Sequence, residues 1–231
     1  MTLHPVTFGD EGQVATRELL AAFDRLATQD ASLVGSRLSE GLRAFETLDR
    51  QYGGQGRLPV EDAEDLVSAT LAELARLEES ARRKGPDRGI AVANLVLGVA
   101  LWAMRHEVPI AVAEPVANAL ALRANAAATK QELSAVYGLM QGVIAHVAPR
   151  LQADLERSNP ERPWRILHAN FAITAIRTED PALMGYAFDS LDAALPDERA
   201  GFYGEALALA LAPGIAPAVR EAIEARHARH S

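Results

Sequence analysis

The sequence predicts an all-α protein built from antiparallel helix pairs. Three observations carry that reading. Apolar residues recur at spacings of three and four over nearly the whole chain, which is the period of a helix with one buried face. Strict alternation with β-branched residues, the mark of a half-buried strand, occurs in no segment of useful length. Glycine and proline fall mostly between the periodic segments, so the connections are short and consecutive helices should pack antiparallel.

Taken in order, the first helix should run over about 10–27 with Val14, Leu19, Leu20, Phe23 and Leu26 inward, and the second over about 32–52 with Leu38, Leu42, Phe45 and Leu48 inward. Gly53-Gly-Gln-Gly56 then breaks the chain. After Pro59 comes a helix with acids in its first turn (Glu61, Asp62, Glu64, Asp65) and Arg82-Arg83-Lys84-Gly85-Pro86 at its end, a charge order that matches the helix dipole and its usual stop. The acidic cluster lacks the glycine-bearing oxygen loop of a calcium site.

A helix with no charge between Arg88 and Arg105 should cover 88–106, followed by an alanine-rich one from Pro109 to about Asn125 with a kink at Pro115. Leu133, Val136, Tyr137, Met140, Ile144 and Val147 form the next stripe, which Pro149 closes. A short helix to about Arg157, a turn at Asn159 to Pro163, and helices near 164–178, 181–194, 198–211 and 217–229 complete the chain. We read residues 1–231 as a single all-α domain, with a point of subdivision at 53–58 between an N-terminal hairpin (10–52) and a helical body (59–231).

Composition narrows the function. Of 231 residues 49% are apolar, ample for a core, and the net charge of −8 is spread along the chain, so nucleic acid, which demands a basic stripe, is excluded as a partner. The middle segment, 85–150, carries only 5 basic and 4 acidic residues and should be the most buried. Lys84 and Lys130 are the only lysines among 23 basic residues, a bias that resembles a GC-rich bacterial coding preference more than selected arginine chemistry.

With no cysteine, disulfides, thiolate metal sites and a cysteine nucleophile are excluded. The N-terminal residues lack a signal-peptide pattern, so the expected location is cytoplasmic. The longest apolar stretch, Ile90 to Met104, reaches about 22 Å at ~1.5 Å per residue, short of a ~30 Å bilayer core, so no membrane role is expected.

The chain also repeats itself. Thr28-Gln-Asp-Ala-Ser-Leu33-Val-Gly35 reads against Thr178-Glu-Asp-Pro-Ala-Leu183-Met-Gly185 at an offset of 150 (178 − 28), and Ala103 to Pro109 against Ala175 to Pro181 at an offset of 72 (181 − 109). The second offset is close to two helical hairpins of about 36 residues. It predicts that junctions 105–109 and 177–181 share one geometry, with Arg105 and Arg177 equivalent and Pro109 and Pro181 each in the first turn of the next helix.

Segment 165–196 resembles a degenerate tetratricopeptide unit, with Phe171-Ala172 at its large-then-small pair, Phe188 at the aromatic of its second helix and Pro196 at its closing proline. His168, Ala175 and Met184 depart from that pattern, standing where tryptophan, tyrosine and a small alanine are expected. The resemblance implies a superhelix of helix pairs with a protein-binding groove. A compact helical bundle is the alternative that the periodicity leaves open.

Candidate chemistry is sparse. Glu224 and His227 have the spacing of di-iron carboxylate bundles but no second copy exists, and His227 with His230 lacks a third ligand. His106-Glu107 matches the first two positions of a zinc-protease motif, with Ile110 where the second histidine belongs. No metal and no cofactor is therefore expected. Arg105, His106 and Arg177 are expected to satisfy carbonyls at helix C-termini.

Trp164, His168, Asn170, Arg177 and Tyr186 are the candidates for a groove or pocket, with core packing the competing reading of the aromatics. No phosphate-binding loop, nucleophile elbow or dinucleotide fingerprint is present, and the reading leans against an enzyme. It favours a protein-interaction adaptor or scaffold of helical-repeat type, binding another protein or a peptide, with a homo-oligomer also compatible. The alternatives are a small-molecule binder or enzyme with a dispersed site between helices, and a structural subunit of an assembly.

Overall fold

The computed structural model describes residues 12–33, 35–52, 60–147, 163–211 and 215–230. Among them every regular element is helical: α1 (Gly12–Gln29), a 3-10 turn (Ala31–Leu33), α2 (Ser36–Tyr52), α3 (Val60–Lys84), α4 (Pro86–Arg105), α5 (Glu114–Ala126), α6 (Lys130–His146), α7 (Pro163–Thr178), α8 (Pro181–Ala194), α9 (Arg199–Ala210) and α10 (Pro217–His230). The expected loop at Gly53 to Gly56, Pro149, the short helix to Arg157 and the turn at Asn159 to Arg162 lie outside the described residues. Two compact units emerge, residues 1–125 with 145–153 and residues 126–144 with 154–231.

In the first unit α1 packs on α2, α2 on α3, α3 on α4, and α4 back on α1, so four helices close a ring. Leu19, Phe23 and Leu26 of α1, Leu38, Leu42 and Phe45 of α2, Leu71 and Leu74 of α3, and most of α4 fill it. A Cβ on Gly98 would stand 2.6 Å from Leu19 Cδ1, so glycine there lets α1 lie close on α4. Within α2 the fourth inward position is not Leu48, which is half-buried, but Asp49, which is 2% exposed.

α4 runs twenty residues because Pro86, in the first turn after a left-handed Gly85, extends it beyond the 90–104 stretch. It is the one helix among the described residues long and apolar enough to cross a membrane, and 67% of that stretch is buried inside the protein. Such burial is what a core helix requires.

The two junctions predicted to match agree in their first half. Glu107 (φ 55°) and Glu179 (φ 57°) both take the left-handed conformation just past a helix end. Glu107 N–H donates to Met104 O at 3.2 Å and Glu179 N–H to Ile176 O at 3.1 Å, again 72 residues apart. At the next residue Val108 N–H reaches Ala103 O directly (2.9 Å), whereas Asp180 N–H donates to Thr178 Oγ1 and that hydroxyl donates to Ala175 O.

The second halves diverge. Pro181 sits in the first turn of α8, but Pro109 precedes a non-helical stretch in which Ile110 N–H donates to His146 O at 2.8 Å and α5 begins only at Glu114. Pro115 therefore falls in the first turn of α5, where its missing N–H costs nothing, and not at a mid-helix kink. The offset of 150 is matched by one shared contact: Asp30 Oδ1 accepts from Ser32 N–H and Asp180 Oδ1 from Ala182 N–H. Capping chemistry available to any helical chain accounts for each of these coincidences.

In the second unit α7 pairs with α8 and α9 with α10, and α10 also packs on α8. Phe171 and Ala172 are fully buried, with Phe171 stacked on Tyr137 at 4.5 Å, and Phe188 meets Tyr203 edge to face at 5.3 Å.

Candidate functional site

The period of α7 gives it two opposite faces. Trp164, His168, Phe171 and Ala175 form one stripe; Arg165, Ala169, Ile173 and Ile176 lie on the other. The second face borders a cleft of about 620 Å³ in the second unit, completed by Leu191 of α8 and Leu195 just past its end, Phe202, Ala206 and Leu209 of α9, and Val219 and Ile223 of α10. Its walls are apolar, aliphatic apart from the ring of Phe202. Leu209 is 73% exposed and Ile173 45%, so the cleft opens at the surface. Charge stays at the rim, where Arg165 is ion-paired with Glu198 and Arg177, Asp197 and Glu205 also stand.

The five residues expected to make a groove are thereby separated. Arg177 lines the cleft, and its Nη2 donates to Ala127 O (3.4 Å), a carbonyl just past the end of α5. Trp164 and His168 are edge to face at 4.3 Å on the inward stripe. His168 is buried, with Nδ1 3.3 Å from Ser190 Oγ and Nε2 without a partner; burial alone holds its pKa down at about 4, so the imidazole is neutral. Asn170 is half-buried and does not line the cleft, and Tyr186, 54% exposed, stands edge to face with Phe171 at 6.2 Å.

Two polar networks were not anticipated. In the first unit Asp49 accepts from four donors: Trp102 Nε1 (2.9 Å), His106 Nε2 (2.8 Å), Arg105 Nη2 (3.2 Å) and the Thr16 hydroxyl. A carboxylate has about four lone-pair positions, so Asp49 is saturated. Burial pushes its pKa up, but the bonds from His106 and Thr16, the charge of Arg105 and the bond from Trp102 outweigh that and hold it below the usual carboxylate value. Arg105 Nη2 and His106 Nε2 thus serve this carboxylate, where a helix-end carbonyl was the expected acceptor. The α2 stripe Leu38, Leu42, Phe45, Asp49 carried the signal for it.

In the second unit Asp192 accepts from Tyr203 Oη (2.9 Å) and Arg226 Nη1 (2.7 Å), with His230 Nε2 at 3.2 Å. Burial and then the Asp192 bond raise the Tyr203 pKa, so the phenol stays a donor. This network ties α10 to α8 and α9. Among the described residues no three His, Asp or Glu side chains converge as a metal site would need. Comparison of the chain with protein-family models, curated proteins and solved structures returned no match.

Proposed function

We propose that the chain is a protein-interaction adaptor or scaffold whose docking element is the aliphatic cleft bordered by α7, α9 and α10. The observation that carries this reading is an open cleft of about 620 Å³ lined mainly by isoleucine, leucine, valine, alanine and the ring of Phe202, with its charges at the rim. That is the form of a groove that receives the apolar face of an amphipathic helix. Three carboxylates (Asp197, Glu198, Glu205) against two guanidinium groups (Arg165, Arg177) at the rim, within a chain of net charge −8, favour a partner whose polar face is basic. A small-molecule pocket is the second reading: the volume suits one, but the floor offers no convergent polar groups to orient a ligand.

The test is fluorescence anisotropy with a labelled helical peptide carrying leucines at i, i+3, i+4 and i+7 and a lysine-rich polar face, beside a twin with a glutamate-rich face. The basic peptide should bind with a Kd on the order of 1–100 µM, and Ile173→Glu should weaken it at least about tenfold without lowering the melting temperature. Absence of saturable binding, or binding indifferent to Ile173→Glu, would overturn the proposal. Equal binding of both peptides would remove the charge argument.

A further inference from the structure

The seam between α1 and α4 in the first unit holds a second cleft, of about 380 Å³. Thr16, Leu19 and Ala22 of α1 and Leu101, Trp102 and Arg105 of α4 are among its walls. The antiparallel run of the two helices puts Thr16 and Arg105 together at one end, joined by a bond of 2.9 Å from Arg105 Nη2 to Thr16 Oγ1. Arg105 Nη2 also reaches Asp49 Oδ2, yet the Nε–H of the same guanidinium is buried with no acceptor. Asp49 cannot take it, because its two oxygens already accept from four donors.

A buried donor left unmet is costly unless an acceptor arrives from outside. The surroundings describe that acceptor. The cleft beyond Arg105 is lined by Leu19, Ala22 and Leu101, which suit an apolar body and would be left unfilled by a bare inorganic anion. The other cation of the cleft, Arg25, lies nine residues along α1 from Thr16, about 14 Å of helix rise away and so toward the other end of the cleft. Glu18, exposed at the rim, further discourages a second negative group.

We propose that this cleft binds a small organic monocarboxylate, its carboxylate accepting from Arg105 and its apolar body lying along Leu19, Ala22 and Leu101. Trp102 lines the cleft and is the only tryptophan besides Trp164, so in a Trp164→Phe background its emission reports the site alone.

Titration of that protein with sodium hexanoate should give a saturable change, and hexan-1-ol, of the same length without the charge, should bind at least about tenfold more weakly. Ala22→Phe fills the apolar part without touching Arg105 and should abolish the hexanoate signal; if that variant does not fold, Ala21→Phe, at an exposed wall position, replaces it. Arg105→Lys keeps the charge but lacks the Nε–H and should weaken hexanoate at least about fivefold. Ile173→Glu should leave hexanoate binding unchanged, which separates this site from the aliphatic cleft of the second unit. Equal affinity for hexanol, no saturation below about 10 mM hexanoate, or indifference to the wall substitution would each overturn the proposal.

Discussion

Asp49 concentrates more of the first unit's polar chemistry than any other side chain described, since α1, α2 and α4 all donate to or carry it. Removing the carboxylate leaves the buried Trp102 Nε1–H without its acceptor and takes one partner each from His106 and Arg105, so Asp49→Ala should cost about 3–5 kcal/mol in urea unfolding at pH 7. The half-buried Leu48 should cost clearly less on truncation. The acid limb gives a signed check. The folded pKa of Asp49 lies below its ordinary 3.8, so the unfolded chain takes up the proton first as pH falls. The stability from the ionised carboxylate is complete above about pH 3.8 and is lost as pH drops through the lower folded value, a slope that Asp49→Ala should lack. Equal acid slopes in the two proteins would show that Asp49 is not held in its ionised form. The residue was within reach of sequence reading, since 38, 42, 45 and 49 fall on one helical face. Assigning Leu48 to the core instead followed hydrophobicity where the period pointed one residue further.

Helix boundaries were the most legible feature, because the signals that stop and start a helix are local. Pro181, Pro217, and the basic end of α3 before Gly85-Pro86 all stand where the chain's own chemistry puts them. The start of α5 was not legible, since residues 109–113 stay out of the helix and Ile110 among them bonds to His146, thirty-six positions away. Spacing within a segment carries no information about such a partner.

The left-handed glutamates at the ends of α4 and α7 were hidden for a different reason: glycine usually marks that position. Glu179→Gly should relieve the φ of 57° and raise stability by about 0.5–1 kcal/mol, after losing only an exposed ion pair with Lys130. Glu179→Val should be destabilising by about 1 kcal/mol or more, because a β-branched side chain resists that conformation. Thermal melts of the three proteins decide the matter, and a valine variant as stable as the glycine one would refute a left-handed backbone at this position.

Over the whole molecule, the period of each helix indicates how much of its surface is buried but not which neighbour buries it. α4, uncharged from Gly89 to Met104, was readable as a core helix, while its packing against α1 to close the ring was not. The same blindness hid the cleft of the second unit, where the apolar Ile173 and Leu209 are exposed. That exposure meets the overall charge in one further expectation. A net charge of −8 keeps copies apart at neutral pH and above, and the charge vanishes near the isoelectric point of about 5.3. Without that repulsion the aliphatic surface around Leu209, Leu211 and Ile173 is free to bury itself against a second molecule. Sedimentation velocity should therefore show larger species near pH 5.3 than at pH 8, and Leu209→Gln, which leaves the charge unchanged, should reduce them at matched concentration. If the distribution is the same at both pH values, or the glutamine variant associates as fully as the parent, the exposed leucine is not what brings the molecules together.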